Sequence, residues 1–144
     1  MRSFFKRSDS AASSRASSGD ADAKGTVLIV DDSPTETHVL RGILERAGYA
    51  VLSAEDGESG IQEATSHKPD VILMDVVMPG LNGFQATRQL SKNPETADIP
   101  IIMVTTKDQD TDRAWGLRQG AKEYVVKPVK AAELLDKVSS VLST

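Results

Sequence analysis

Five short apolar runs alternate along this chain with longer stretches that have the periodicity of helices. The third run, residues 71–74, is apolar at every position, as expected for a strand that is covered on both faces in a parallel sheet. The other predicted strands are residues 27–30, 49–54, 101–104 and 123–126. Strands that alternate with helices in this way predict an α/β fold, with a doubly wound, five-stranded parallel sheet that carries helices on both faces.

A helical stretch follows each predicted strand. The first begins at Ser33-Pro34, where Ser33 is a favourable N-cap and Pro34 fits the first turn, and it stops at Gly48. The apolar stripe predicted for this helix consists of Val39, Leu40, Ile43, Leu44 and Ala47. The four other predicted helices are residues 58–67, 84–90, 110–119 and 131–142.

The beginning of the chain differs in composition from the remainder. Residues 1–24 are rich in Ser, Ala, Gly and Asp and show no apolar periodicity, which is typical of a flexible tail. The whole chain has 144 residues, enough for one domain with a core. We therefore expect a disordered tail over residues 1–24 and a single folded domain over residues 25–144.

Charge and composition exclude several classes of protein. A net charge of -4 argues against a protein that coats nucleic acid. The absence of cysteine excludes disulfides, thiolate metal sites and a cysteine nucleophile. No apolar run approaches the roughly 18 residues that cross a bilayer, and the first residues lack the apolar stretch of a secretory signal. We therefore expect a cytoplasmic protein without stable membrane insertion.

Polar residues stand at the carboxyl ends of four predicted strands. Asp31 and Asp32 follow the first, Asp75 the third, Thr105 the fourth and Lys127 the fifth. The carboxyl ends of parallel strands share one edge of the sheet, where open α/β sheets bind their ligands. Each residue has an ordinary explanation by itself, as a turn cap, a strand residue or a solvated loop charge. Their coincidence at one edge favours a functional site.

The chemistry of this set points to phosphoryl transfer. Clustered carboxylates repel one another unless a cation lies among them, and hard oxygen ligands suit Mg²⁺. Lys127 would add positive charge, and Thr105 would donate a hydrogen bond to an anionic oxygen. A carboxylate nucleophile surrounded by a metal ion, an ammonium and a hydroxyl has the groups that phosphoryl transfer requires.

Four segments together resemble the receiver domain of two-component response regulators. They are VLIVDDSP, VILMDVVMPGLNG, IIMVTT and YVVKP, in the order and at the spacing that the family has. The resemblance covers nearly all of the predicted domain, from about Thr26 onward. It implies the flavodoxin-like strand order 2-1-3-4-5, as in the chemotaxis receiver CheY. It also implies a CheA-like histidine kinase as the phosphodonor.

The same resemblance implies a role for each site residue. Asp75 would be the phosphoacceptor, and Thr105 and Lys127 would contact the phosphoryl oxygens. Mg²⁺ would be bound directly by Asp32, by Asp75 and by the backbone carbonyl of Val77, while Asp31 would act mainly through water.

Further expectations follow from the family. Tyr124, three residues before Lys127, matches the aromatic residue that turns inward on activation and reshapes the surface of the fourth helix, fifth strand and fifth helix. The peptide bond before Pro128 would be cis. Val77 and Lys107 depart from the commoner family pattern. Both are expected to alter the rate of phosphate loss, in a direction that the sequence does not indicate.

A closer resemblance concerns the output. The segments LNGFQATRQL and VTTKDQDTDRAWGLRQGAKEY resemble PilH-type regulators of type IV pili and twitching motility. The last predicted helix leaves no room for an effector domain, so we expect a monomer or weak dimer that signals by binding a protein or acts as a phosphate sink. Trp115 lies off the predicted Ala114–Leu117 stripe of the fourth helix. It is either exposed on the output face or packed along its helix.

Other classes of function are disfavoured to different degrees. A dehalogenase-like phosphatase would need two aspartates separated by one residue, but Asp31 and Asp32 are adjacent. No G-x-G-x-x-G follows the first strand, and the acidic pair would repel the phosphate of a flavin. A helix-turn-helix is absent, so DNA binding is not expected. A flagellar chemotaxis regulator and a pseudo-receiver that only docks partners remain as alternatives. A receiver takes part only in its own phosphotransfer and autodephosphorylation, so we do not expect a conventional enzyme.

Overall fold

Strands and helices alternate strictly along the folded part of the chain. The structure, a computed structural model, describes residues 23–143, so most of the expected tail at residues 1–24 lies outside the described residues. The elements are β1 (Thr26–Val30), α1 (Pro34–Arg46), β2 (Ala50–Ala54), α2 (Gly57–His67), β3 (Val71–Met74), α3 (Gly83–Lys92), β4 (Ile101–Thr105), α4 (Asp110–Gln119), β5 (Glu123–Val126) and α5 (Ala131–Leu142).

The five strands form one parallel sheet in the order β2-β1-β3-β4-β5. Strand β1 pairs Val27 with Val51 of β2 on one side and with Val71 of β3 on the other. Strands β4 and β5 extend the sheet beyond β3, with Ile102 opposite Glu123. The predicted fold class and strand order are therefore confirmed. The predicted bounds of β3, α4, β5 and α5 coincide with the observed ones, and no other predicted end differs by more than two residues.

Two apolar layers cover the sheet, one on each face. Because successive side chains of a strand point to opposite faces, each buried strand supplies both layers. One layer contains Leu28, Ile72, Met74 and Met103 and is covered by residues of α2 and α3. The other contains Val27, Ile29, Leu73 and Val104, and it packs against Leu40, Leu44, Leu134 and Val138 of α1 and α5. Burial on both faces explains why the strand sequences are continuously apolar.

Two predictions about helix faces are wrong. Val39, placed in the inward stripe of α1, is 48% exposed, because it lies beside rather than on the face formed by Leu40, Ile43 and Leu44. In α4 the Ala114–Leu117 stripe is not buried: Leu117 is 50% exposed.

Helix α4 instead turns Gly116 and Gln119 inward. A Cβ atom on Gly116 would lie 3.3 Å from ring carbons of Tyr124 and from Met103 Cγ. The aromatic ring of β5 therefore fills the space that an apolar side chain of the helix would have taken. Helix α4 thus packs through a glycine, which has no side chain, and a search for apolar periodicity does not detect such a contact.

Over residues 23–143, no helix has both the length and the hydropathy that a membrane crossing requires.

Candidate functional site

Asp75 lies directly beyond the end of β3. Its backbone N–H donates to the carbonyl of Val30 at 3.0 Å, so the residue is held as a continuation of the sheet. Its side chain is buried, with the residue only 7% exposed, and one carboxylate oxygen accepts a hydrogen bond from the N–H of Val76 at 2.7 Å. The second carboxylate oxygen faces Lys127.

The loop after Asp75 is closed by a glycine at the start of α3. The N–H of Gly83 donates to the carbonyl of Val76 at 2.9 Å. A Cβ atom at residue 83 would collide with the backbone carbonyl of Asp75, so the close approach requires glycine. Asn82 caps α3 by a reciprocal pair of hydrogen bonds with Gln85. The beginning of α3 thus fixes the backbone that carries Asp75.

The acidic pair after β1 has one buried and one exposed member. Asp31 is 4% exposed, whereas Asp32 is exposed. The N–H of Asp31 donates to Ala54 at 3.1 Å, and one of its carboxylate oxygens accepts from the N–H of Ser33 at 2.9 Å. The sharp turn into α1 therefore orients the Asp31 carboxylate toward the sheet edge.

Lys127 brings its ammonium group into this acidic cluster from β5. Its Nζ lies 2.9 Å from Oδ2 of Asp31 and 3.4 Å from Oδ2 of Asp75. A third carboxylate, that of Glu36, lies 3.8 Å away. The backbone N–H of Lys127 donates to the carbonyl of Thr105 at 2.8 Å, and the Lys127–Pro128 peptide is cis, as predicted.

Burial and mutual charge perturb the titration of these groups. Desolvation by burial raises the pKa of Asp75, and the charge of Asp31 raises it further, although Lys127 partly offsets both. Burial alone would lower the pKa of Lys127, but the hydrogen bond to Asp31 and the charges of the nearby carboxylates outweigh it and raise that pKa. The lysine is therefore charged, and the site favours additional positive charge.

The three aspartates fit a divalent metal ion. Asp31, Asp32 and Asp75 each offer a carboxylate oxygen, and these oxygens all lie within 4.8 Å of one another. Carboxylate oxygens are the hard ligands that Mg²⁺ takes, and the exposed Asp32 leaves one side open to water. The donor set thus fits Mg²⁺ by its chemistry and its spacing.

Thr105 lies at the same edge with its side chain fully buried at the end of β4. Its Oγ1 accepts a hydrogen bond from the N–H of Lys107 at 3.3 Å. Within residues 23–143, no hydrogen bond joins Thr105 to the aspartates. The structure therefore places Thr105 at the same edge of the sheet as the acidic cluster, with its hydroxyl bonded to Lys107 instead.

Tyr124 links β5 to the loop after Thr105. Its hydroxyl donates to the carbonyl of Lys107 at 2.8 Å, and the residue is 5% exposed, so the ring already lies inward. The guanidinium of Arg113 lies 5.2 Å from the ring centroid. Burial, reinforced by the charge of Asp112, raises the pKa of the Tyr124 phenol to about 12.

The remaining predicted positions lie on the surface. The side chain of Val77 is exposed beside Asp75, with the residue 58% exposed. Trp115 is 48% exposed on α4, so the side chain is accessible as one of its two predicted placements requires, while an output role for this face stays a prediction.

Sequence reasoning missed Glu36. It lies in the first turn of α1, where an acidic residue is common at a helix N-terminus and indicates no site. Its contact with Lys127 joins residues that are far apart in the chain, and neither spacing nor periodicity signals it.

Comparisons with known proteins agree with this geometry. Residues 27–139 match the response regulator receiver domain family. The chain is similar to protein PilH of Pseudomonas aeruginosa PAO1, with 59% identity over 117 residues that cover 81% of this chain and 97% of that protein. It is also similar to the transcriptional regulatory protein PhoP of Bacillus subtilis, with 38% identity over 81% of this chain and 48% of that protein.

Solved structures show the same fold. The chemotaxis protein CheY4 of Vibrio cholerae superposes with a TM-score of 0.78 at 33% identity, covering 83% of this chain and all of that chain. The receiver domain of the sensor histidine kinase PA1611 from Pseudomonas aeruginosa PAO1, with a magnesium ion coordinated in its active site cleft, superposes with a TM-score of 0.79 at 32% identity over 85% of this chain. By sequence, by fold and by the arrangement of its acidic edge, this chain belongs to the response regulator receiver domain family.

Proposed function

We propose that this protein is a response regulator that is phosphorylated on Asp75 by a histidine kinase. Mg²⁺ would be held directly by Asp32, Asp75 and the backbone carbonyl of Val77, and mainly through water by Asp31. The observation that carries the proposal is the position of the Lys127 ammonium, 2.9 Å from Asp31 and 3.4 Å from Asp75, within a cluster of three aspartates. Such a site attracts a divalent cation, because its carboxylates outnumber its one ammonium. The cation and Lys127 together would then neutralise the charge of an incoming phosphoryl group.

The chemical step is a displacement at phosphorus. One carboxylate oxygen of Asp75 attacks the phosphorus of a phosphohistidine, an O–P bond forms, and the P–N bond breaks so that the imidazole leaves with the electron pair. When bound, Mg²⁺ neutralises charge on the transferred group. Lys127, which already faces Asp75, neutralises another phosphoryl oxygen.

The buried position of Asp75 restricts the access of water. The residue is 7% exposed, and its backbone is fixed by the start of α3. Hydrolysis of the acyl phosphate is then the protein's own autodephosphorylation, so the protein is a participant in the phosphorelay rather than a conventional enzyme. The exposed Val77 and Lys107 flank the path of the attacking water in this proposal.

The signal passes to the face formed by α4, β5 and α5. The acyl phosphate adds about -1.5 to -2 charge at the sheet edge and attracts Thr105 and Lys127 toward Asp75. Thr105 is bonded to the N–H of Lys107, and the carbonyl of Lys107 accepts from Tyr124. Movement of Thr105 thus alters the packing of Tyr124 against α4, which shifts the population between two surfaces.

The similarity to PilH supports a role in type IV pilus and twitching motility, acting either by phosphorylation-dependent protein binding or as a phosphate sink in the cytoplasm. The half-exposed Trp115 and Leu117 offer apolar contact area on the proposed output face. A flagellar chemotaxis role is the second candidate, favoured by the similarity in fold to CheY4.

Labelling with acetyl phosphate tests the phosphoacceptor. The wild-type protein with Mg²⁺ is expected to gain one phosphoryl group by intact mass spectrometry, and the gain is expected to disappear with EDTA or in Asp75→Asn. Asp98→Asn, which removes an exposed carboxylate, serves as the matched control and should label like the wild type. Labelling that persists in Asp75→Asn would refute the assignment, and a wild-type protein that neither labels nor binds Mg²⁺ would favour the pseudo-receiver.

Motility assays separate the two cellular roles. Replacement of the chromosomal gene by Asp75→Asn is expected to change twitching zones and to leave swimming zones unchanged. A change confined to swimming would favour the flagellar alternative. Phosphotransfer from a panel of the host's histidine kinases would then identify the donor.

A further inference from the structure

The ammonium of Lys127 contacts three carboxylates, of which two belong to the candidate metal site and one does not. Two of its partners, Asp31 at 2.9 Å and Asp75 at 3.4 Å, belong to the cluster that fits a divalent cation. The third, Glu36 at 3.8 Å, does not belong to it. Among the described residues, Glu36 is thus the acidic partner of Lys127 that stays available when a cation takes the aspartates.

A divalent cation and the observed position of Lys127 compete for the same oxygens. The cation repels the ammonium of Lys127, and the cation also neutralises the two aspartates that hold this ammonium. The Lys127 side chain is only 9% exposed, so loss of every anionic partner would leave a poorly solvated charge. The ammonium therefore needs another acceptor within reach when the cation binds.

Glu36 is placed to be that acceptor. It lies in the first turn of α1, where its N–H donates to the Ser33 hydroxyl oxygen at 3.2 Å, which fixes the backbone of the residue. Its side chain is 43% exposed, so its carboxylate lies on the solvent side of the cluster. A displacement of Lys127 from Asp31 toward Glu36 moves the ammonium away from the cation and toward water.

We propose that Glu36 is a positioning residue that receives the Lys127 ammonium when a divalent cation occupies Asp31, Asp32 and Asp75, and that keeps it at the rim of the site. The inference rests on the proposed function, because it presumes that the aspartates bind Mg²⁺. Its consequence is that Lys127 remains beside Asp75 in the metal-loaded protein, ready to contact a phosphoryl group, and that the metal binds more tightly than it would against an ammonium with no second partner.

Magnesium titration followed by NMR tests this inference on the full chain. The variants are Glu36→Gln, which removes the charge, and Glu36→Asp, which keeps the charge but shortens the reach by one methylene. Glu45→Gln removes a carboxylate from the same helix, and Glu45 pairs with Arg41 rather than Lys127. Both Glu36 variants are expected to raise the Kd for Mg²⁺ by about 1.5- to 5-fold, the range of a partly exposed ion pair, and Glu45→Gln is expected to leave it unchanged.

The side-chain resonances of Lys127 give a second readout that does not depend on phosphorylation. Without Mg²⁺ the two Glu36 variants should shift them less than with Mg²⁺, because Asp31 still holds the ammonium at 2.9 Å whereas Glu36 lies 3.8 Å away. With saturating Mg²⁺ they should differ between the wild type and both Glu36 variants.

Failure of this inference can be distinguished from failure of the proposed function. If the wild type binds Mg²⁺ and labels with acetyl phosphate, but Glu36→Asp binds Mg²⁺ like the wild type, contact with Lys127 is not the cause and the inference is overturned alone. Equal affinities in all four proteins, or an equal loss in Glu45→Gln, overturn it in the same way. A wild type without Mg²⁺ affinity overturns both the inference and the proposed function.

Discussion

The ammonium of Lys127 lies 2.9 Å from the carboxylate of Asp31, although 96 positions separate the two residues in the chain. The contact joins the ends of β1 and β5, which are not neighbours in the sheet, since β3 and β4 lie between them. It therefore spans the carboxyl edge of the sheet and brings positive charge over Asp75.

Lys127→Ala is expected to lower the free energy of unfolding by about 3–5 kcal/mol without metal, because it leaves Asp31 and Asp75 as buried carboxylates without their cationic partner. Mg²⁺ at 100 times its Kd is expected to restore about 2.7 kcal/mol, since it neutralises the same oxygens. Denaturant unfolding with and without Mg²⁺ measures both effects. Lys137→Ala removes a lysine from a partly exposed pair with Glu123 and should cost about 1 kcal/mol or less; an equal cost for both variants would contradict the prediction.

Asp75→Asn is expected to raise the stability of the metal-free protein at neutral pH. The folded pKa of Asp75 lies above its unfolded value, so the folded state favours the protonated acid. The contribution of Asp75 to the free energy of unfolding is therefore complete below its unfolded pKa and is lost as the pH rises through its folded pKa. Asparagine does not ionise, so the variant does not undergo this loss. Denaturation across the acidic range should show the advantage of Asp75→Asn shrinking as the pH falls.

Asp56 supplies the comparison of opposite sign. Hydrogen bonds from Ser59 lower the pKa of this N-cap carboxylate, so its contribution is present above the unfolded pKa and is lost as the pH falls through the folded pKa. Asp56→Asn should therefore remove a stabilising contribution at neutral pH, the reverse of Asp75→Asn. Parallel behaviour of the two variants would show that the pKa of Asp75 is not raised.

Gly83→Ala is expected to destabilise the protein by about 1–3 kcal/mol, because a Cβ atom at this position collides with the backbone of Asp75 and forces the loop to move. Gly42→Ala is the matched control on α1. There the new Cβ would meet only the flexible end of Arg46, and alanine is favoured over glycine in a helix by about 0.5–1 kcal/mol. Denaturant unfolding should show opposite signs for the two variants, and equal signs would contradict the collision.

Tyr124→Phe is expected to cost about 1 kcal/mol at neutral pH, because the carbonyl of Lys107 loses its donor. The phenol has a pKa of about 12 in the folded protein against 10 unfolded, so stability from this group is full below the unfolded value and is lost as the pH rises toward the folded one. The tyrosinate absorbance should show one titration near pH 12 that the variant lacks. A wild type without that titration would show that the ring is not buried as described.

The sequence predicted the helices and strands well because local patterns encode them. The run at residues 71–74 is apolar throughout because β3 is covered on both faces, and Ser33 and Pro34 mark the start of α1 by capping chemistry. The bounds of helix α4 were predicted correctly, but its buried face was assigned wrongly. Its inward positions are Gly116 and Gln119, because the ring of Tyr124 packs where a helix side chain would otherwise lie.

By itself the sequence determined the α/β alternation, and with it the edge to which Asp31, Asp32, Asp75, Thr105 and Lys127 belong, since parallel strands place their carboxyl ends together. Only the tertiary structure decided which of these groups touch. It pairs Lys127 with Asp31, Asp75 and Glu36, and it leaves Thr105 bonded to the N–H of Lys107. The reason is physical: periodicity records which face of an element is buried, whereas distances of a few ångströms between side chains depend on how the elements pack against one another.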